Sequence, residues 1–175
     1  MYAIGDLIVY GAEGVYRVED IGCPGIMPGD QKRKYYTLTP LFSAGKTYAP
    51  VDSSVKMRPI MTGESARQLV HKMPSIQADV YEEDNLHKLT DHYKSVIRTY
   101  DCEKLIRLIK AIYVKGKALS EGGKKLGQVD QRFMKRAEDM LHEELSAALE
   151  ISKDDVRGYI EEQVDPYDSI QLAPC

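Results

Sequence analysis

The chain has 175 residues, which is enough for one ordinary domain or two small ones. Hydrophobic residues account for 43% and charged residues for 29% of it, a balance that indicates a folded globular protein and excludes disordered and fibrous classes. The net charge is −3, no run approaches the ~18 apolar residues that span a bilayer, and the first residues lack the apolar stretch of a secretory signal, so we expect a cytoplasmic protein.

The first sixty residues have the pattern of short β-strands joined by tight turns. Gly11 and Gly14 flank a turn where a positive φ costs little. Beyond the turn, the apolar Tyr16 and Val18 alternate with charged residues, as in a half-buried strand. Pro50 suits the end of an edge strand, because proline cannot donate a backbone hydrogen bond. Strands are predicted at residues 7–10, 16–19, 34–39, 46–49 and 56–58.

After Pro59 the apolar spacing changes to the 3.6-residue period of an α-helix. Small polar residues precede the apolar stretches, as expected of residues that cap helix N-termini. The predicted caps are Thr62, Asn85, Asp101 and Ser152. The first helix is predicted to end near residue 72, a long helix covers 128–150, and the last ends at 164. Glycines at 116 and 122–123 are predicted to break the third helix.

These patterns predict an α+β protein built of two segregated modules. Residues 1–60 are predicted to form a small, partly open antiparallel β-barrel, in which two prolines and two glycines between 23 and 30 indicate a loop. Residues 61–165 are predicted to form a compact all-α domain of about five helices. Residues 166–175 are predicted to be a flexible tail.

Charge is distributed unevenly along the chain. Residues 61–127 carry 12 basic and 9 acidic residues, whereas residues 128–175 carry 5 basic and 12 acidic residues. Within 104–125 there are seven basic residues and a single acid, Glu121. Such a run is either a solvated helix face, with Lys104, Arg107 and Lys110 opposite the apolar side, or a surface for a phosphate backbone.

The sequence carries no pattern that predicts catalysis. Three single cysteines without a CxxC pair indicate neither disulfides nor a zinc site. No two of the four histidines have the i, i+4 spacing of paired metal ligands on a helix. Adjacent carboxylates such as Glu143 and Glu144 are predicted on solvent-exposed helix faces, which is poor geometry for a catalytic pair. We therefore expect no enzyme activity, no catalytic residues, no metal and no cofactor.

Several short stretches together resemble a known family. The stretch Ile4-Gly5-Asp6-Leu7-Ile8-Val9-Tyr10 with Gly14-Val15-Tyr16-Arg17-Val18 is similar to the family's opening segment. Lys34-Tyr35-Tyr36-Thr37-Leu38, Tyr48-Ala49-Pro50-Val51-Asp52 and Met57-Arg58-Pro59 follow in the family's order. From Met1 to about Val164 the chain resembles the CarD/CdnL family of bacterial transcription regulators that bind RNA polymerase. Its N-terminal part is also similar to the polymerase-interacting domain of transcription-repair coupling factors.

The resemblance implies a Tudor-like barrel that binds the β subunit of RNA polymerase. It also implies a helical domain that contacts promoter DNA beside the upstream edge of the melted bubble and modulates the stability of the open complex. An exposed edge strand can extend the sheet of another protein, and the strand ending at Pro50 is the candidate for this contact. Tyr48 either takes part in it or packs in the barrel. The predicted polymerase-binding residues are Arg17, Tyr36, Lys46 and Tyr48.

For the DNA contact, many relatives carry a tryptophan that wedges against the minor groove. This chain has no tryptophan, and Leu89 occupies the matching place, either as a smaller wedge or as a core residue. The predicted DNA-binding residues are Lys88, Leu89, Lys94, Lys124, Lys125 and Arg132. Since the cations among them suit phosphates, little sequence readout is expected. The alternative function is a protein-only adaptor whose helical domain binds another protein.

Overall fold

The computed structural model of the chain describes residues 1–25 and 33–164. The chain divides into two compact units, Met1–Ile60 and Met61–Cys175. The described part of the first unit contains five strands and that of the second contains five α-helices, which confirms the predicted α+β class. The greater part of the predicted loop at 23–30 and the whole predicted tail at 166–175 lie outside the described residues.

The first unit is a single antiparallel sheet. Its strands are β1 (Leu7–Tyr10), β2 (Gly14–Gly22), β3 (Tyr35–Pro40), β4 (Thr47–Pro50) and β5 (Met57–Pro59). Their order across the sheet is β4-β3-β2-β1-β5, so β4 and β5 are its two edges within the described part of the chain. The strand that ends at Pro50 is therefore an edge strand, as its proline predicts.

One face of this sheet forms the core of the first unit. The buried residues of that core are Ile8, Tyr16, Val18, Tyr36, Leu38 and Ala49. The β1–β2 turn needs its glycines, because Gly11 has φ 52° and Gly14 has φ 138°, values that residues with a Cβ rarely adopt. The alternation of buried and exposed residues along β2 follows directly from the period-two pattern of the sequence.

The second unit consists of helices with capped N-termini. The helices are α1 (Gly63–Lys72), α2 (Leu86–Thr99), α3 (Cys102–Glu121), α4 (Gln128–Leu149) and α5 (Val156–Gln163). The side chains of Thr62, Asn85 and Asp101 accept backbone N–H groups at the starts of α1, α2 and α3, which confirms three predicted caps. Ser152 caps a short 3₁₀ turn, Lys153–Asp155, that leads into α5.

Gly116 does not break α3, contrary to the sequence prediction. The helix continues through it to Glu121 and ends at the Gly122-Gly123 pair, where Gly123 has φ 74°. A Cβ on Gly116 would lie 2.9 Å from Cδ1 of Leu126, so the glycine makes room for that side chain. Packing, and not chain reversal, explains this glycine.

Two charged residues predicted on solvent-exposed faces are buried. Lys110 of α3 is 6% exposed, and its Nζ donates hydrogen bonds to the carbonyls of Met73 (2.6 Å) and Ile76 (2.8 Å). Glu144 of α4 is fully buried and accepts hydrogen bonds from the backbone N–H of Met61 (2.9 Å) and the thiol of Cys102 (3.1 Å). The hydrogen bonds of both side chains connect segments that are distant in sequence. Local periodicity cannot predict such contacts.

Candidate functional site

The face of the sheet opposite the first unit's core carries three of the four predicted polymerase-binding residues. Ala49 of β4 points into the core of the first unit. Because successive side chains of a strand point to opposite faces, Tyr48 lies on the other face, where it is half-buried. Arg17 of β2 lies opposite Thr39 of β3 and is exposed. Lys46, next to β4, is exposed as well. We call Arg17, Glu19, Lys46 and Tyr48 the β4 face.

An ion pair organises the charges of the β4 face. The Lys46 Nζ lies 2.8 Å from a carboxylate oxygen of Glu19. This contact with Lys46 lowers the pKa of Glu19, with a smaller contribution from Arg17, and Glu19 in turn raises the pKa of Lys46. The surface therefore presents Arg17 and a neutralised Lys46–Glu19 pair beside a tyrosine. Such a mixed surface beside an open strand edge suits a protein partner.

Tyr36 is buried, which argues against its predicted contact with polymerase. Its side chain is 2% exposed and lies in the core of the first unit. The hydroxyl accepts a hydrogen bond from the backbone N–H of Tyr2 at 3.1 Å, and the two rings make an edge contact at 5.8 Å. Tyr36 thus fixes the N-terminal segment against the sheet.

The predicted DNA wedge, Leu89, is also a core residue. It is 2% exposed and lies on the buried side of α2 with Tyr93 and Ile97. This burial favours the core alternative for Leu89 over the wedge, because a side chain with no free surface cannot insert between base pairs. Its neighbours Lys88 and Lys94 are exposed, and no ion pair joins either of them to an acid in residues 1–25 and 33–164.

An exposed leucine that the sequence reasoning missed lies three residues earlier. Leu86, the first residue of α2, is 64% exposed and directly follows the cap Asn85. The first turn of a helix has no preceding turn to cover its side chains. The position after a strong cap was the signal that could have identified Leu86.

Arg132 and the α2 lysines belong to helices that pack together. The guanidinium of Arg132 lies 5.0 Å from the ring centre of Phe133, and that ring lies 5.3 Å from the ring of Tyr93. Tyr93 immediately precedes Lys94 on α2. The structure thus brings the start of α4 against the middle of α2, with a basic residue next to the aromatic contact on each helix.

A buried polar group fixes this arrangement. The hydroxyl of Tyr93 donates to Asp130 at 2.6 Å, and the Nζ of Lys115 lies 2.9 Å from the same carboxylate. Burial, together with the hydrogen bond to Asp130, raises the pKa of Tyr93. One carboxylate therefore connects α2, α3 and α4. No sequence pattern indicates this connection, because the three residues lie far apart in the chain.

Lys124 and Lys125 lie in a different environment from the α2 lysines. They line a groove of about 630 Å³ between α3, α4 and α5, which we call the α3–α5 groove. Its other lining residues are Tyr113, Gly116, Ser120, Leu126, Gln131, Met134, Lys135, Glu138 and Arg157. Neither Lys88 nor Lys94 is among the described residues that line this groove.

The described residues offer no metal centre and no membrane helix. Among residues 1–25 and 33–164, no group of three or more His, Cys, Asp or Glu side chains is placed to hold a metal ion. None of the helices in that part of the chain combines the length and apolarity needed to cross a bilayer.

Comparison with known proteins defines the first unit. The first unit is an antiparallel sheet with a polar face beside β4, an edge strand of the described sheet. Residues 2–61 match the family model of the CarD-like/TRCF RID domain, a domain that interacts with RNA polymerase. The match covers about a third of the chain and bears out the resemblance for this N-terminal part. No curated protein matches the chain.

Proposed function

We propose that the protein is a transcription regulator that binds the β subunit of RNA polymerase through its first unit and contacts promoter DNA through its helical unit. The contact lies near the upstream edge of the bubble and modulates the stability of the open complex. The protein acts in the cytoplasm, at the nucleoid, where polymerase holds it. The observation that carries the proposal is the RID domain at residues 2–61.

The β4 face and the free edge of β4 support the polymerase contact. An edge strand offers backbone N–H and C=O groups to a strand of a partner, and alternate side chains add specificity. On β4 those side chains are Tyr48 and the adjacent Lys46, with Arg17 on β2 extending the surface. Pro50 limits the pairing at one end of the strand, because it has no N–H.

The exposed side of α2 supports the DNA contact. Lys88 and Lys94 are cations without an acidic partner among the described residues, as a phosphate-binding surface requires. Leu86 projects at the start of the same helix and takes the wedge role predicted for Leu89, since leucine is among the apolar side chains that partly unstack base steps. Arg132, on the packed neighbour α4, adds a further cation.

Attachment to polymerase makes weak DNA contacts effective. A helical unit held beside the promoter has an effective local concentration of ~mM, so contacts with little affinity of their own become occupied. They raise initiation if they favour melted over closed promoter DNA, because a ligand shifts an equilibrium only by its differential affinity. The same contacts lower output if they slow promoter escape.

The Lys88→Glu/Lys94→Glu variant tests the DNA contact. We expect the half-life of polymerase–promoter complexes formed with this variant to fall about tenfold relative to the wild-type protein, because two phosphate contacts become repulsive. Binding of the variant to polymerase alone should stay unchanged. The slope of log affinity against log salt should also fall by roughly 2, since each phosphate contact contributes about 0.9.

The matched control is Lys104→Glu/Lys117→Glu. Both lysines are exposed on α3 and make no ion pair within residues 1–25 and 33–164, so the control changes net charge equally but at another surface. We expect the half-life of polymerase–promoter complexes formed with this control to stay within twofold of the wild-type value. If Lys88→Glu/Lys94→Glu also leaves the half-life unchanged, the helical unit does not contact DNA through α2, and the adaptor function becomes the better account.

A further inference from the structure

The α3–α5 groove has an apolar floor. Tyr113 comes from α3, Leu126 from the segment before α4, and Met134 from α4. The Leu126 side chain packs against Gly116, the position where a larger residue would displace it. A volume of about 630 Å³ lies within the range of ligand pockets, roughly 300 to 1,000 Å³.

The rim of the groove is basic. Lys124 and Lys125 approach it from the α3–α4 connection, Lys135 from α4 and Arg157 from α5. Neither Lys124 nor Lys125 has an ion-pair partner in the described ranges, and Lys135 makes only a 3.7 Å contact with Asp139. Glu138 is the single acid among the described residues that line the groove. The local charge therefore favours an anionic occupant.

Burial shifts the pKa values of two α4 side chains near Arg157. Burial, with smaller contributions from Arg157 and Lys153 and against an opposing effect of Asp139, lowers the pKa of His142 to about 4. Burial raises the pKa of Glu138, and one of its carboxylate oxygens is enclosed with no hydrogen-bond partner among residues 1–25 and 33–164. Glu138 and His142 are thus both poorly solvated, and the charge of Arg157 acts on both of them.

We propose that the α3–α5 groove binds an acidic amphipathic peptide segment of a protein partner. Its apolar side chains pack on Leu126 and Met134, and its carboxylates pair with Lys124, Lys125 and Arg157. This is helix-in-groove recognition with the charges set by the rim. The inference does not rest on the DNA contact proposed for α2.

Nucleic acid fits the groove less well than a peptide does. Duplex DNA, whose major groove alone is about 12 Å wide, can touch the rim lysines but cannot enter the groove. The apolar floor would then stay uncovered. A peptide with both acidic and apolar side chains satisfies the rim and the floor together. The prediction that Lys124 and Lys125 bind DNA phosphates therefore competes with the peptide site proposed here.

Fluorescence anisotropy with the full-length protein tests the inference. The probe is a fluorescein-labelled synthetic peptide of about 14 residues, with leucines at helical spacing and glutamates elsewhere. We expect a dissociation constant on the order of 50 µM. A shuffled peptide of the same composition, which loses the apolar stripe, should bind at least fivefold more weakly. A lysine-for-glutamate peptide should not bind.

Variants of the groove sharpen the result. Lys124→Glu/Lys125→Glu should weaken binding about tenfold, whereas Lys104→Glu/Lys117→Glu, with the same charge change outside the groove, should change it less than twofold. Glu138→Gln should strengthen binding two- to threefold, because it removes the single acid of the described lining. This last variant tests the sign of the occupant's charge.

Three outcomes would overturn the inference. The first is no binding of the acidic peptide to the wild-type protein. The second is weaker binding by Glu138→Gln, which would mean that the occupant donates hydrogen bonds to this carboxylate. The third is equal binding of the shuffled peptide, or displacement by a short DNA duplex at lower concentration than the unlabelled peptide, either of which would indicate a purely electrostatic site.

Discussion

Replacement of Lys110 by methionine is expected to lower the free energy of unfolding of the helical unit by about 3 kcal/mol. The Nζ of Lys110 donates to the carbonyls of Met73 and Ile76, and a longer contact of 3.4 Å reaches Pro74. These carbonyls lie where α1 ends and the chain turns away from it. Methionine keeps the volume of the side chain but leaves the buried acceptors without this donor.

Urea unfolding followed by far-UV circular dichroism, which reports the helices, measures this effect. Lys117→Met is the matched control, since Lys117 lies on the same helix but is exposed, and a surface change of this kind stays within about 0.5 kcal/mol. Equal stabilities of the two variants would show that Lys110 is solvated, and the account of the segment that follows α1 would then be wrong.

Leu89→Ala is expected to lower the free energy of unfolding by about 3 kcal/mol, as deletion of buried leucine side chains does. Leu89 is 2% exposed on the packed side of α2, so truncation leaves a cavity beside Tyr93. The promoter-complex half-life should not change at a temperature where the variant remains folded. Its only effect is then on stability.

Leu86→Ala should have the opposite pair of effects, on the half-life of the promoter complex and not on stability. The side chain is 64% exposed, so stability should change by less than about 0.5 kcal/mol, while the promoter-complex half-life falls because the wedge is shorter. Paired measurements of unfolding and of half-life separate the two leucines. If Leu89→Ala shortens the half-life at full stability, the wedge assignment returns to Leu89.

Much of the fold follows from short-range patterns. The caps Thr62, Asn85 and Asp101 are recognisable because a helix start needs an acceptor within three residues of the first free N–H groups. The edge position of β4 follows from Pro50, since proline cannot serve a central strand. Each of these rules depends on neighbours in sequence.

The errors concern contacts between distant residues. Periodicity alone allows either a surface or a core position for four residues that the structure buries, and their packing partners come from other elements. These residues are Tyr36, Leu89, Lys110 and Glu144. Glu144 is separated from its partner Met61 by 83 residues. Gly116 resembles a helix breaker until Leu126 is placed beside it. Tertiary packing determines whether such residues are buried, and the pattern within a single helix carries no information about that packing.

The candidate sites were predictable to different extents. The β4 face follows from a resemblance whose segments lie on the strands that form it, and residues 2–61 bear that resemblance out. The α3–α5 groove was not predictable, because its lining extends from Tyr113 to Arg157 over three helices. Only the run of lysines near the end of α3 indicated that this region was basic.

The most direct test of the central claim is the affinity of the full-length protein for the isolated β subunit of RNA polymerase. The account predicts specific binding by the wild-type protein. Binding should be weakened about tenfold or more by Arg17→Glu/Tyr48→Ala on the β4 face. Lys56→Glu, an exposed charge reversal next to the opposite edge strand β5, should change the affinity less than twofold. No binding by the wild-type protein, or equal loss in both variants, would contradict it.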